Sequence, residues 1–131
     1  MDCAGKCLIR VFPFTAELRE ILGDFSPIEK SSFGCFGEPR FVEKLKEFQG
    51  ELIIQTLFVR GTLEGKKIDN TAEKELSIWL KHIKAINPKY VMIYPIDRAT
   101  PLETLEKVPF AELVEIAERV EKIGIRAQVY Y

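Results

Sequence analysis

The chain has 131 residues, of which 47% are hydrophobic and 30% charged, and its formal net charge is −1. This balance suits one packed domain and excludes a largely disordered chain. The near-neutral charge gives no strong signal for nucleic-acid binding, and no apolar run reaches the roughly 20 residues that a membrane-spanning helix needs. We therefore expect a cytoplasmic protein that does not enter a membrane.

Residues 1–40 form the less regular part of the sequence. Cys7–Phe12 is compatible with a strand and Thr15–Phe25 with an amphipathic helix, whereas Ser26–Pro39 has the serine, glycine and proline content of a loop. We treat 1–40 as an amino-terminal segment whose place in the fold is open, and 41–131 as an α/β unit.

From residue 41 onwards, apolar strands alternate with amphipathic helices, which is the pattern of βα repeats with a parallel sheet. A short helix is predicted at Phe41–Phe48, and strands are predicted at Leu52–Val59, Val91–Tyr94 and Ile125–Tyr131. Because these strands are apolar at consecutive positions, we expect the sheet to be buried on both faces.

Two longer helices are predicted to cover this sheet. In the first, Asn70 can cap the amino terminus, Glu73 can complete a capping box, and Pro88 ends the pattern. The second begins near Pro109 and ends at Gly124, since glycine accepts the left-handed conformation that ends many helices.

The lengths of the connections predict where a ligand binds. The helix-to-strand connections are short, whereas strand-to-helix loops run from Arg60 to Asp69 and from Pro95 to Val108. In parallel α/β folds, ligands collect at the carboxyl ends of the strands, where such loops meet. We therefore expect a small-molecule ligand at this edge.

Several polar side chains are candidates to contact that ligand. Arg60 and Arg98 can each form forked hydrogen bonds with a carboxylate or phosphate, and Asp97 can accept bonds from a hydroxyl or an amine. Asp97 and Arg98 can also pair with neighbours and brace their loop. Gln55 is polar within an apolar strand and needs a partner, which a ligand can supply. Asn70 is a further candidate, with helix capping as its alternative role.

Three separated strings resemble the carboxyl-terminal half of radical S-adenosylmethionine proteins. The strings are ELIIQTLFVRG at 51–61, IDNT at 68–71, and VMIYPIDR at 91–98 followed by Thr100-Pro101. The similarity extends over roughly residues 41–131, and the branch it resembles most is that of uncharacterised iron–sulfur oxidoreductases related to wyosine-type tRNA-modifying enzymes.

The resemblance implies a partial (β/α) barrel. In that family a four-iron four-sulfur cluster and S-adenosylmethionine bind at the carboxyl edge of the strands and generate a 5′-deoxyadenosyl radical. By the same resemblance, the segments Gln55–Arg60 and Tyr94–Ile96 line the nucleoside part of the cofactor or of the substrate.

The cysteines match the family's cluster motif only in part. The motif is Cys-x3-Cys-x2-Cys, in which three thiolates hold three irons. Cys3 and Cys7 have the first spacing and are the candidate metal ligands, but Arg10 occupies the third position and Cys35 is distant. A complete cluster site is therefore not expected, and whether the chain is an enzyme stays open. The alternative is a non-catalytic α/β module for ligand binding or assembly.

A partial barrel also predicts an uncovered inner face and unpaired edge strands. Either residues 1–40 fold over this surface or a second copy of the chain covers it. A symmetric homodimer is the simpler closed arrangement, and we expect it to bury Phe33, Phe36, Tyr130 and Tyr131.

Overall fold

A computed structural model describes residues 8–11, 36, 39–63, 65–95 and 105–131. In chain order these residues form strand β1 (Leu8–Val11), helix α1 (Pro39–Lys46), strands β2 (Ile53–Leu63) and β3 (Lys66–Asp69), helix α2 (Glu73–Ile86), strands β4 (Tyr90–Pro95) and β5 (Leu105–Lys107), helix α3 (Phe110–Lys122) and strand β6 (Arg126–Val129). Across these ranges, no helix combines the length and the apolarity needed to span a membrane.

The sheet confirms the predicted parallel α/β architecture. Strands β1, β2, β4 and β6 lie side by side in that order, and each neighbouring pair is parallel. Helix α2 connects β2 to β4 and helix α3 connects β4 to β6, because parallel neighbours need a long crossover connection. β1 lies within the strand predicted at Cys7–Phe12, so part of the segment 1–40 belongs to the same sheet. The predicted helix Thr15–Phe25 lies outside the described residues.

The prediction that the sheet is buried on both faces is wrong. Along β4, Val91 and Ile93 are fully buried, whereas Tyr90, Met92 and Tyr94 are only partly buried. This alternation shows that one face of the sheet packs against the helices. The sequence suggested two buried faces because tyrosine and methionine, which tolerate partial exposure, look apolar in a pattern of residue types.

The core lies between the helices and one face of the sheet. Trp79 on α2 is fully buried, and its ring meets that of Phe58 edge-on with centroids 5.2 Å apart. The Trp79 Nε1–H donates to the Thr56 hydroxyl at 3.2 Å, so the indole and this buried threonine satisfy each other. Other buried members of this layer are Leu76, Ile83, Leu113, Ile116, Val120, Ile54, Val91 and Ile93.

β2 continues beyond the parallel sheet, which corrects the prediction of open loops. Its first part pairs with β4, and its extension lies between β3 and β5 and is antiparallel to both. The ranges Arg60–Asp69 and Pro95–Val108 therefore contain strands. The turn between β2 and β3 includes Gly65, whose φ of 79° suits glycine. The extension of β2 and strand β3 are rich in polar residues, so the residue types predicted a loop. They form strands because they pair with each other.

The helix ends agree with the sequence in one case and not in the other. Gly124 follows α3 with a φ of 90°, as predicted for a left-handed helix end. The predicted Asn70 cap of α2 is wrong, because the cap position is Ala72 and no side chain bonds the first turn.

Candidate ligand-binding site

The face of the parallel sheet opposite the helices presents the polar and aromatic side chains of the strands. We call it the open face and define it by the partly buried or exposed residues that point away from the helices. These are Leu8 and Arg10 on β1, Ile53 and Gln55 on β2, Tyr90, Met92 and Tyr94 on β4, and Arg126 and Gln128 on β6. In a closed barrel this face would line the interior.

A pocket of about 250 Å³ lies on the open face, at the carboxyl ends of β4 and β6 and beside Gln55 of β2. Its lining residues are Gln55, Met92, Tyr94, Pro95, Tyr130 and Tyr131. Gln55 and Tyr94, which the sequence predicted to contact a ligand from separate strands, therefore line one pocket. Tyr130 and Tyr131 were expected at a dimer interface, and the structure places both in this pocket.

One row of four residues crosses the open face at the level of Met92, two residues before Tyr94 on β4. Arg10 lies opposite Gln55, Gln55 opposite Met92, and Met92 opposite Gln128. The Arg10 Nε–H donates to Gln55 Oε1 at 3.0 Å. An arginine side chain only donates, so the carboxamide oxygen must face Arg10 and the Gln55 NH₂ group is the end left to meet a ligand. The partner that Gln55 needed is thus supplied by β1.

Tyr130 and Tyr131 are positioned by contacts with several elements. The Tyr130 N–H donates to the Ile93 carbonyl at 2.7 Å, and its hydroxyl donates to Gln128 Oε1 at 3.2 Å. Partial desolvation, and secondarily Tyr90, raise the pKa of Tyr130, so it is a neutral donor at physiological pH.

The ring of Tyr131 is held from the side of β5 and α3. The Lys107 ammonium lies 3.9 Å from its ring centroid, and the Phe110 ring meets it edge-on with centroids 5.5 Å apart. A cation over the face and an aromatic edge against it both favour a fixed ring. This wall of the pocket therefore depends on residues that are distant in sequence.

Arg60, predicted to bind a ligand anion, is engaged within the protein. Its guanidinium donates to the Thr71 hydroxyl at 2.8 Å and to both carboxylate oxygens of Glu112 on α3. Its Nε lies 3.9 Å from the Asp69 carboxylate. The bond to Glu112 raises the pKa of Arg60. The forked hydrogen bonds expected with a ligand are thus made with Glu112 and join β2 to α3. Arg60 also lines a second pocket, of about 400 Å³, beside the β2–β3 hairpin.

Asn70 has a structural role that neither prediction anticipated. Its side chain is fully buried, its Oδ1 accepts from the Val59 N–H at 2.8 Å, and its Nδ2 donates to the Leu57 carbonyl at 2.7 Å. The carboxamide therefore bonds β2 much as the backbone of a neighbouring strand would, at the place where pairing with β4 ends. It leaves no surface for a ligand, and we omit Asn70 from the proposed contacts.

The remaining predicted site residues, namely Ile96, Asp97, Arg98, Cys3 and Cys7, lie outside the described residues. The described ranges contain no cysteine, and within them no three histidine, cysteine, aspartate or glutamate side chains are grouped to hold a metal ion. Nothing in the described part of the chain therefore fits an iron–sulfur cluster, and we derive no reaction step through one.

Comparison with known proteins gives a likeness of fold. No protein-family model matches the sequence, and no curated protein matches it. Among solved structures, a radical SAM methyltransferase from Sphaerobacter thermophilus is similar, with 14% sequence identity and a TM-score of 0.62 over 95% of this chain. The chain covers 33% of that structure, so it spans about a third of its length. The likeness supports an α/β fold that is consistent with part of a barrel.

Proposed function

We propose that this chain is a partial barrel of the radical S-adenosylmethionine type that binds a nucleoside, either that of the cofactor or that of a substrate, on its open face. The observation that carries the proposal is the pocket formed at the carboxyl ends of β4 and β6 and beside Gln55 of β2, on the face that lines the interior of a barrel. The fold likeness and the sequence resemblance both support the choice of family.

The pocket offers three kinds of contact to a nucleoside. Tyr94 and Tyr130 can present aromatic side chains to a planar base, and Met92 adds apolar surface to the pocket. The Gln55 NH₂ group can donate to a ring nitrogen or hydroxyl. Ligand pockets usually have about 300–1,000 Å³. A volume of about 250 Å³ accordingly accommodates one part of a ligand, and the rest extends over the open face.

S-adenosylmethionine, when bound, supplies a sulfonium centre with activated carbon–sulfur bonds. The residues described in this chain would bind and orient its nucleoside part and exclude water from one side of it. They are not assigned a bond-making step.

Isothermal titration calorimetry with S-adenosylmethionine, S-adenosylhomocysteine and adenosine tests the proposal. We expect saturable heat with the wild-type chain. Met92→Trp fills the pocket and should abolish that heat. Ile53→Trp is the matched control, because residue 53 lies two positions before Gln55 on β2, on the same face but outside the pocket lining. No binding heat with any of the three ligands, or an equal loss of binding heat in the two variants, contradicts the proposal.

A separate experiment tests whether the chain alone is catalytic. Anaerobic reconstitution with iron and sulfide should leave no stable cluster, because the third cysteine of the motif is replaced by Arg10. Visible charge-transfer absorption together with reductive cleavage of S-adenosylmethionine would show that this chain is the catalyst and that our view of the cluster site is wrong.

A second candidate function, assembly into a homodimer, is favoured by the apolar side chains near the two edge strands. Leu8 on β1 is 42% exposed, and Tyr131 after β6 is 59% exposed. Sedimentation equilibrium at micromolar concentration should show a dimer that Leu8→Lys dissociates. A wild-type monomer that binds no hydrophobic dye would argue against this function.

A further inference from the structure

We propose that the open face selects an anionic ligand, whose carboxylate or phosphate group is held between Arg10 and Gln55 at the β1 side of the pocket. The position of the ligand's planar part rests on the proposed function, whereas the anion site rests on separate observations of charge and hydrogen bonding.

The first observation is the charge of the open face. Its residues, as defined above, include Arg10 and Arg126 and no aspartate or glutamate. The charge of this face is therefore positive, whereas the whole chain has a formal net charge of −1. A surface that carries one sign of charge raises the local concentration of ligands of the opposite sign.

The second observation is that Arg10 has no carboxylate partner among the described residues. Ion pairs in this part of the chain join other residues, among them Arg60 to Glu112 and Asp69, Arg119 to Glu73, Lys46 to Glu43 and Lys89 to Glu51. Among the described residues, Arg10 forms one side-chain hydrogen bond, from Nε to the neutral Gln55. Within that part of the chain its two Nη groups are therefore open to a forked bond with an anion.

The third observation is the direction of the Gln55 carboxamide. Because its oxygen faces Arg10, its NH₂ group is presented to the pocket. Neighbouring strands lie about 4.8 Å apart, so one carboxylate or phosphate group can accept bonds from both side chains. The Arg10 guanidinium and the Gln55 NH₂ group are both donors, so they favour a ligand group that accepts. Arg10 thus provides positive charge and also fixes the orientation of the Gln55 carboxamide.

The experiment compares ligands that share a nucleoside and differ in charge. Adenosine is the neutral probe, adenosine 5′-monophosphate carries a phosphate, and adenosine 5′-carboxylate carries a carboxylate. We expect at least one anionic probe to bind about tenfold or more tightly than adenosine at low salt, which is the scale of a charge-assisted hydrogen bond. The preference should shrink as salt rises, because Arg10 is exposed. The tighter anionic probe identifies the group that the site prefers.

Two variants separate a local site from general attraction. Arg10→Gln should bring the affinity ratio of the anionic and neutral probes close to one. Arg126→Gln removes the same charge from the same face at the opposite edge strand and should keep most of the preference. Equal affinity for all three probes, or an equal loss of preference in the two variants, would overturn the anion site and leave the nucleoside proposal standing if adenosine still binds.

If none of the nucleosides binds, the proposed function fails and inorganic phosphate alone tests the anion site. A saturable phosphate-dependent shift of the Gln55 side-chain amide signals in NMR spectra, lost in Arg10→Gln, would support the site. Absence of any shift in the wild-type chain would overturn it.

Discussion

The backbone of Gly50 packs against the carbonyl oxygen of Asn87, and a Cβ atom on residue 50 would lie 3.0 Å from that oxygen. Gly50 precedes β2 and Asn87 precedes β4, so the contact joins two helix-to-strand turns at the amino edge of the sheet. Both residues have left-handed backbones, with φ of 87° at Gly50 and 53° at Asn87. Close approach and a positive φ together require glycine at residue 50.

Gly50→Ala should therefore destabilise the fold more than the same change at Gly124. Gly124 has nearly the same φ, 90°, but an added Cβ there meets nothing within 4 Å. The control should cost about 1–2 kcal/mol from backbone strain alone. Gly50→Ala should exceed it by about 1 kcal/mol or more, because backbone atoms must move apart. Urea unfolding of both variants measures the difference, and equal losses would show that the contact with Asn87 relaxes freely.

Asn70→Ala should lower the free energy of unfolding by about 2–4 kcal/mol. The change leaves the buried Val59 N–H and Leu57 carbonyl without their side-chain partners, at about 1–3 kcal/mol for each unsatisfied group. Gln55→Ala is the control, since it removes a carboxamide from the partly exposed face of the same strand and should cost about 0.5 kcal/mol or less. Comparable unfolding midpoints for the two variants would contradict the role assigned to Asn70.

The Arg60–Glu112 pair should stabilise the fold measurably. The Arg60 side chain is 29% exposed and its bonds join β2 to α3. A double-mutant cycle with Arg60→Ala and Glu112→Ala should give a coupling free energy of about 1 kcal/mol, after allowance for screening by solvent. The Arg119–Glu73 pair, in which Glu73 is 72% exposed, is the control and should show a smaller coupling that vanishes at high salt. Coupling no larger than in the control would show that the Arg60–Glu112 pair stabilises the fold no more than an exposed ion pair does.

The unfolding free energy should decrease between pH 7.5 and 5.5 in part through His82. This side chain is partly buried and packs edge-on against Phe36, with ring centroids 5.2 Å apart. Burial, and then the charges of Lys81 and Lys46, lower the pKa of His82. Since the folded-state pKa lies below the ordinary value of about 6.5, the stabilisation is complete above that value. It is lost as the pH falls from there through the folded-state pKa.

His82→Gln provides the measurement for this prediction. The variant lacks the titrating group, so its unfolding free energy should change less between the two pH values than that of the wild-type chain. An identical pH dependence in both proteins would assign the whole effect to other groups, such as carboxylates.

The alternation of strands and helices could be read from the sequence because it depends on local spacing. Apolar residues three and four apart place Leu76, Trp79 and Ile83 on one side of α2, and Gly124 ends α3 because its backbone adopts a positive φ. These properties follow from neighbouring residues and need no knowledge of the rest of the chain. The binding role of Gln55 remains a prediction.

The details of the candidate site depend on residues that are far apart in the sequence. Arg10 and Gln55 are separated by 45 positions, and their hydrogen bond exists because the register of β1 against β2 places them side by side. The same holds for Arg60, whose guanidinium meets Glu112 of α3 in place of the ligand anion that its residue type suggested.

Residue types determined the helices that cover the sheet, the parallel strands and the order in which they alternate. The short strands β3 and β5, the antiparallel extension of β2 and the partners of Asn70 were decided by tertiary structure alone. The physical reason is that a polar side chain can satisfy its hydrogen bonds with water, a ligand or another part of the chain. Only the packing of the strands determines which of these partners lies within reach.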